Sequence, residues 1–407
     1  IFQAFVPGAS PSGKPVTSTS ARQEPVAYPP PGLIPSPIAS PTAFKIVTPT
    51  HPPTWTPYPT NTARPGPTPT PIPLVGPAEN AAGQILYVAV DDQGQRGFQA
   101  LEVDEKGMSK AGPARLPSDL LPEGAYFPSP DGKYIVIISD SEGGIFGNVL
   151  EVSADKIAPL IGVEAFFNWY PDSKHVLVRK SDLGLYLVNV YGKEPAIPLV
   201  MPDLGDITAA ASSPDGQKII YSYWKGIDGQ PAQIGMVNAD GREAVEIMQT
   251  PYQPYNFTWS PDGSQIAFLG DGLMVMNPDG SGLRRLGYFP LPQYYYLTLL
   301  WSPDSQKLTL PIISEGSGPA CHGWGKANFS DVNIIVINIA TGKVHTFPVE
   351  KDSGNIDPAW SPDGKKIVFV SNRGGAPNLW AADADGANLY PLTTEDWMVR
   401  FPFWLRP

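Results

Sequence analysis

The chain has 407 residues, of which 42% are apolar, so it is long enough to bury a sizeable core. Its net charge of −11 repels phosphate backbones and offers no basic patch to anionic lipid, which excludes nucleic acid as an expected partner. No segment approaches the roughly 18 apolar residues of a spanning helix, so no membrane insertion is predicted.

Residues 1–78 are predicted to form an extended arm rather than a domain. They hold 21 of the 49 prolines, and the stretch between residues 48 and 73 repeats Thr-Pro or Pro-Thr steps. Proline fixes φ and removes the backbone donor, so polyproline II is the expected conformation. Composition alone is typical of a disordered or O-glycosylated stalk.

Two apolar islets without proline interrupt this arm. Short β-capable segments of this kind could each bury side chains worth about 1.5–3 kcal/mol apiece. They therefore favour an arm that docks on a partner, either another copy of the chain or another envelope protein. The residues expected to make these contacts are Ile1, Phe2, Phe5, Val6, Phe44, Ile46 and Val47.

The first residue is Ile1 rather than methionine, which suggests that an export signal has been removed. The expected location is extracellular or at the cell surface, with the periplasm as a further possibility. One cysteine, Cys321, cannot form an intrachain disulfide, so the domain must rely on its core.

An internal repeat in residues 79–407 predicts a β-propeller. A Pro-Asp step, mostly preceded by an aromatic residue or serine and followed by an alternating strand, recurs at Pro130, Pro171, Pro214, Pro261, Pro303 and Pro362. The spacings of 41, 43, 47, 42 and 59 residues are close to the roughly 40–50 of propeller blades. Proline presets φ in a β-turn, aspartate bonds its own backbone, and glycine supplies φ > 0.

A second kind of turn, such as VNADG at Val237, occurs seven times against six Pro-Asp turns. The first blade, which begins near Gly83, therefore lacks its opening strand. The C-terminal segment VRFPFWLRP can supply it, because Trp404 follows Trp360 by 44 residues. An all-β propeller of seven four-stranded blades, closed by the C-terminal strand, is predicted over residues 83–407, with six blades as the competing count.

The W-S-P-D-G repeats resemble those of TolB and its relatives, the WD-like propellers with this signature, over residues 83–407. The resemblance implies the fold and, for TolB itself, a periplasmic protein-binding role. The chain departs from TolB in having a proline-rich arm where an α/β domain would precede the propeller. That departure leaves TolB's own partners without support here.

No catalytic site, cofactor or metal site is predicted. The sequence has no G-x-S-x-G elbow, P-loop or dinucleotide fingerprint. The four histidines are scattered, and Cys321-His322 lies in the insertion that explains the 59-residue spacing. Two adjacent ligands do not make a metal site, so an ordinary blade insertion is the better interpretation.

Aromatic residues cluster in loops that lead into blades. They could stack on sugars or bind a partner, or they could pack beneath the loops, and the sequence does not decide between these readings. The residues of this possible ligand face are Tyr252, Tyr255, Tyr294, Tyr295 and Tyr296.

Two functions follow from these patterns. The first is a non-enzymatic extracellular structural protein whose arm docks on neighbouring subunits, as in a surface filament or array. The alternative is a secreted binding module on a flexible stalk that recognises glycan or peptide through its propeller face.

Overall fold

A computed structural model describes most of the chain after residue 69. The described residues are 70–74, 78–91, 93–109, 114–115, 121, 124–141, 144–154, 156–160, 162–192, 194–200, 205–225, 230–291, 299–313, 329–394, 396 and 398–405. All of them belong to the unit His51–Pro407, the second of two units into which the chain divides.

These residues form 28 β-strands and no helix. In chain order the first eleven strands are β1 (Gly83–Val90), β2 (Arg96–Val103), β3 (Ala114–Arg115), β4 (Ala125–Pro128), β5 (Tyr134–Ser141), β6 (Gly144–Glu151), β7 (Lys156–Leu160), β8 (Val163–Trp169), β9 (His175–Lys180), β10 (Leu185–Asn189) and β11 (Ile197–Val200). The next eight are β12 (Asp206–Ser212), β13 (Lys218–Trp224), β14 (Ala232–Asn238), β15 (Val245–Thr250), β16 (Tyr255–Trp259), β17 (Ile266–Gly270), β18 (Gly272–Met276) and β19 (Arg284–Gly287). The last nine are β20 (Leu300–Trp301), β21 (Lys307–Ile313), β22 (Val332–Asn338), β23 (Val344–Thr346), β24 (Asn355–Trp360), β25 (Lys366–Ser371), β26 (Asn378–Asp383), β27 (Tyr390–Pro391) and β28 (Met398–Leu405).

The strands make seven four-stranded antiparallel sheets, the blades of a β-propeller. Blade 1 has the order β28-β1-β2-β3, and blades 2 to 7 take four consecutive strands each, from β4–β7 to β24–β27. The predicted all-β propeller of seven blades closed by the C-terminal strand is therefore confirmed. The competing count of six blades is wrong, because β28 joins the first blade.

Ring closure depends on the pairing of β28 with β1. Ile85 lies opposite Trp404 in this ladder, and the indole Nε1 of Trp404 donates a hydrogen bond of 3.1 Å to the carbonyl of Ala81. Trp404 is buried in a hydrophobic cluster that joins blade 1 to blade 7. With β28 as its innermost strand, blade 1 has the same four-stranded arrangement as the other six described blades.

Seven hydrophobic clusters hold the blades together, one at each interface between neighbours. Successive side chains of a strand point to opposite faces of its sheet, so both faces of a blade are apolar. In β17, for example, Phe268 packs in the cluster shared with blade 4 and Leu269 in the cluster shared with blade 6. This explains why the middle strands of the blades have continuous apolar segments.

The Pro-Asp turns connect the first and second strands of a blade and share one hydrogen-bond pattern. The serine before the proline donates to the turn aspartate at 2.5–2.7 Å and accepts a backbone N–H at 2.9–3.0 Å. The serines are Ser129, Ser213, Ser260, Ser302 and Ser361. Because these turns and the turns between third and fourth strands lie at one face, we call it the Pro-Asp face. The opposite face, where the other connections lie, is the loop face.

Candidate functional site

Most of the predicted contact residues lie outside the described part of the chain. This applies to the arm residues Ile1, Phe2, Phe5, Val6, Phe44, Ile46 and Val47, and to Tyr294, Tyr295 and Tyr296. Cys321 and His322 also lie outside it. Of the predicted ligand face, Tyr252 and Tyr255 are described, both at the loop-face end of blade 5.

The two tyrosines differ in environment. Tyr252 is half-buried beside Gly270, where an added Cβ would come within 2.5 Å of the tyrosine ring. Burial raises the pKa of its hydroxyl. Tyr255, the first residue of β16, is 41% exposed, although partial burial raises the pKa of this hydroxyl too. Tyr252 therefore packs beneath the hairpin β17–β18, whereas Tyr255 offers part of its ring to solvent.

Three further residues, which the sequence did not single out, complete a cluster at this end of blade 5. Asp271, in the turn between β17 and β18, accepts hydrogen bonds from Arg285 Nη1 at 2.7 Å and from the Tyr288 hydroxyl at 3.0 Å. The guanidinium carbon of Arg285 lies 4.0 Å from the centre of the Tyr288 ring, and Arg285 also contacts the Tyr288 hydroxyl. We call Tyr252, Tyr255, Asp271, Arg285 and Tyr288 the blade 5 cluster.

This cluster combines the groups that recognise polar ligands with flat surfaces. Tyr288 is 63% exposed, so one large aromatic surface is open to solvent. An arginine stacked on a tyrosine retains free N–H donors, and an exposed carboxylate accepts hydrogen bonds. A sugar or a peptide could stack on the ring and hydrogen-bond to the ion pair.

A related arrangement lies at the same end of blade 3. Lys180 Nζ is 5.0 Å from the centre of the Tyr186 ring, and the Tyr186 hydroxyl donates to Asp182 in the turn between β9 and β10. Burial, and to a smaller extent the hydrogen bond to Asp182, raises the pKa of Tyr186 to about 12. The combination of a turn aspartate, a cation and a tyrosine thus occurs on two blades of the loop face.

Bulges interrupt the inner strands that line the ring. Asn256, Asp357 and Phe401, each three residues before a tryptophan, adopt φ of 51° to 54°. The Asp357 carboxylate accepts from Arg400 Nε at 2.7 Å and from the backbone N–H of Phe401 at 3.1 Å. This ion pair joins blade 7 to β28 of blade 1, across the junction where the ring closes.

The last part of the predicted arm contacts the Pro-Asp face. The backbone N–H of Ile72 donates to the carbonyl of Asp215 at 2.8 Å, in the Pro-Asp turn of blade 4. The Ile72 side chain packs on the hydrophobic cluster between blades 3 and 4, beside Gly216. Six residues later, the N–H of Ala78 donates to the carbonyl of Pro362 on blade 7 at 2.9 Å. We call the surface of Tyr170, Asp215 and Gly216 the Ile72 seat.

Among the described residues, no group of three or more His, Cys, Asp or Glu side chains is placed to hold a metal ion. This part of the chain also contains no helix that is long and apolar enough to cross a membrane.

The chain is similar to segments of several bacterial proteins, although no family model matches it. It is 28% identical to the Tol-Pal system protein TolB of Alcanivorax borkumensis over 109 residues. This matched segment covers 24% of this chain and 24% of that protein. An uncharacterized protein of Agrobacterium fabrum is 28% identical over 195 residues, 47% of this chain and 59% of the relative. The uncharacterized peptidase YuxL of Bacillus subtilis is 27% identical over 143 residues, 28% of this chain and 21% of the relative. The chain thus spans less than two thirds of the length of each relative.

Solved structures also resemble the chain. TolB from Acinetobacter baumannii has a TM-score of 0.45 at 17% identity, over 81% of this chain and 68% of TolB. An oligogalacturonate lyase in complex with manganese has a TM-score of 0.48 at 15% identity, over 78% of this chain and 87% of the lyase. The W-S-P-D-G turns, the seven blades and the sequence similarity to TolB of Alcanivorax borkumensis confirm that the fold is a β-propeller of the TolB type.

Proposed function

We propose that this chain is a non-enzymatic protein-interaction module of the cell exterior, an assembly subunit whose N-terminal arm docks on neighbouring copies or on another envelope protein. The observation that carries the proposal is the contact of Ile72 with its seat. There, a residue of the proline-rich segment binds a propeller turn through one backbone hydrogen bond and one apolar side chain.

Ile72 has the features that the two apolar islets share. It lies between Pro71 and Pro73, so it supplies a backbone N–H where its neighbours have none. Its branched apolar side chain gains free energy when it leaves water. Residues 1–6 and 43–47 contain several such positions in succession. They are therefore suited to longer contacts of the same type, in which an extended segment binds along the surface of a propeller.

The charge distribution supports association between arm and propeller. Residues 1–78 hold four Lys or Arg and one Glu, a formal charge of +3, which leaves −14 on residues 79–407. Opposite charges of this kind steer two surfaces together and suppress pairing of propeller with propeller. We therefore expect assembly to weaken as ionic strength rises.

A non-enzymatic role agrees with the chemistry of the residues. The sequence has no nucleophile elbow, and the acidic side chains of the blade 5 cluster and of the Asp357–Arg400 pair are bound to cations. The peptidase and lyase names of similar proteins describe those proteins, and the sequence match to the peptidase covers 21% of its length.

The test compares the full chain with full-length variants of each islet, Phe2→Ser with Phe5→Ser and Phe44→Ser with Ile46→Ser. Light scattering and negative-stain microscopy are expected to show regular polymers for the parent chain and their loss in at least one pair. Trp55→Ser, an aromatic substitution outside the islets, is the matched control and should assemble normally. Unchanged polymers in both pairs, or a parent chain that stays monomeric, would contradict the proposal.

The blade 5 cluster favours a second candidate, a secreted module that binds glycan or peptide on the loop face. Its specific support is the exposed Tyr288 ring beside the Arg285–Asp271 ion pair. A monomeric parent chain that binds a glycan or peptide array, and loses that binding in Tyr288→Ala, would favour this function over assembly.

A further inference from the structure

One outer edge of the propeller differs from the others. In each described blade the fourth strand is the last of its sheet and leaves backbone groups without a partner strand. Proteins protect such edges by making them short, by placing proline in them, or by adding charged Lys or Arg side chains. Six of the seven edges in the described residues have one of these features. They are the two- or three-residue lengths of β3, β23 and β27, the prolines Pro159 in β7 and Pro198 in β11, and the arginines Arg284 and Arg285 in β19.

β15 of blade 4 has none of these three features, and its protection consists of the charge of Glu246 and one bulge. It is six residues long, the longest of the seven edges, and contains no proline, lysine or arginine. Val245 is 50% exposed, Glu246 is exposed, and Ile247 is half-buried against the cluster between blades 4 and 5. A bulge places Ile247 between the pairs Gly235–Glu246 and Ile234–Met248. Along residues 245–247 the side chains are apolar, acidic and apolar in turn; the first two are exposed, and Ile247, at the bulge, is half-buried.

The arm contains a segment with the complementary pattern. Residues 43–47 read AFKIV, five residues without proline in which Lys45 lies between Phe44 and Ile46. In an antiparallel ladder, opposite residues share a face and their side chains contact each other. If Lys45 lies opposite Glu246, then Phe44 lies opposite Ile247 and Ile46 opposite Val245. One register thus satisfies the charge pair and both apolar pairs.

The length of the intervening chain favours a neighbouring copy as the donor of this segment. Ile72 fixes the arm to blade 4, and residues 48–69 contain eight prolines, a composition that favours stiff polyproline II. At about 3.1 Å per residue these 22 residues reach roughly 70 Å. A propeller of this size has a radius of gyration of only about 20 Å, so this reach is long enough to span the distance to a neighbouring copy.

We propose that residues 43–47 of a neighbouring copy add as an antiparallel fifth strand to β15, with Lys45 opposite Glu246. This inference rests on the proposed function, because it names the surface on which the arm docks. It makes blade 4 the acceptor in every subunit and leaves the other edges, with their protective features, outside the interface.

A charge reversal tests the register. Lys45→Glu and Glu246→Lys should each raise the concentration needed for assembly about fivefold, because each places like charges opposite one another. The double variant restores an opposite pair in every subunit and should assemble within about twofold of the parent chain. Glu246 is exposed, so thermal melting of the propeller should be the same in all four proteins.

A substitution on the edge itself tests the surface. Val245→Asp should reduce assembly at least tenfold, because it puts a carboxylate where Ile46 is expected to pack. Val344→Asp is the matched control, since Val344 is 40% exposed on the three-residue edge β23 and should not affect assembly. Polymers that need Phe44 and Ile46 but are insensitive to Val245→Asp, or reversed charges that the double variant does not rescue, would overturn this surface and leave the proposed function standing. A monomeric parent chain would overturn both.

Discussion

The Pro-Asp face and the loop face are built from connections of different kinds. On the Pro-Asp face, five described blades use the same turn, in which a buried serine binds the turn aspartate. On the loop face the connections differ from blade to blade, and that of blade 5 exposes Tyr288 beside an ion pair. The difference indicates that repeated residues stabilise the ring, while the residues that do not repeat are free to bind.

The largest expected effect comes from the residue that closes the ring. Trp404→Ala removes a buried indole, its hydrogen bond to Ala81 and its packing between blades 1 and 7. Substitutions of this kind cost about 3–5 kcal/mol, so the free energy of unfolding should fall by that amount. Denaturant unfolding followed by tryptophan fluorescence and circular dichroism would measure it.

Tyr288→Ala is the control on the loop face. Since Tyr288 is largely exposed, this substitution should change the unfolding free energy by less than about 0.5 kcal/mol. Equal losses of unfolding free energy in Trp404→Ala and Tyr288→Ala would contradict the distinction between a ring that stabilises the fold and a face that binds ligands.

The repeats explain why the ring could be predicted from the sequence. Each Pro-Asp turn depends on residues within five positions of one another, such as Ser361, Asp363 and Lys366, so the pattern is local and visible. Even the closing strand was predictable, because Trp404 continues the spacing of the repeat. Blade 3 shows that the pattern tolerates substitution of the serine. Tyr170 takes its place, and the Tyr170 hydroxyl donates a hydrogen bond to the backbone carbonyl of Gly216 in the next blade.

The candidate site was less predictable, because it depends on contacts between residues that no motif links. Asp271, Arg285 and Tyr288 meet because the hairpin β17–β18 and the strand β19 bring together positions 14 and 17 residues apart. The prediction named Tyr252 and Tyr255 from their local clustering, and only the packing on Gly270 distinguishes the first from the second. The remaining predicted contacts, in the arm and at residues 294–296, stay predictions.

A smaller effect is expected from the turn serines. Ser361 is fully buried, donates to Asp363 at 2.6 Å and accepts the N–H of Lys366 at 2.9 Å. Ser361→Ala leaves both groups without this partner and should cost about 1–2 kcal/mol of unfolding free energy. Ser264 also donates to a turn aspartate, Asp262, but it is exposed, so Ser264→Ala should cost less than about 0.5 kcal/mol. If both alanine variants melt at the same temperature, burial of the turn serine is not what stabilises the Pro-Asp face.

The smallest effect for a single residue is expected from the ionisation of Asp262, the aspartate in the Pro-Asp turn of blade 5. Partial burial raises the pKa of Asp262, but hydrogen bonds from Ser260 and Ser264 outweigh it, and the pKa lies below the usual value. A carboxyl with a lowered pKa in the folded state stabilises the fold above its unfolded pKa of about 3.9 and loses that contribution as the pH falls through the folded value. Because Asp262 is exposed to solvent, its share should be less than about 1 kcal/mol.

Asp262→Asn isolates that contribution, since an amide does not titrate. Thermal melts between pH 7 and pH 3 should show a shallower loss of stability below about pH 4 for Asp262→Asn than for the parent chain. In the same turn of blade 2, partial burial raises the pKa of Asp131, but hydrogen bonds from Ser129 and Lys133 outweigh it and the pKa is lowered, so Asp131 should add a second contribution of the same sign. Parallel profiles of stability against pH for the parent chain and Asp262→Asn would mean that the ionisation of Asp262 does not contribute to stability. The acid sensitivity of the propeller would then arise from other groups.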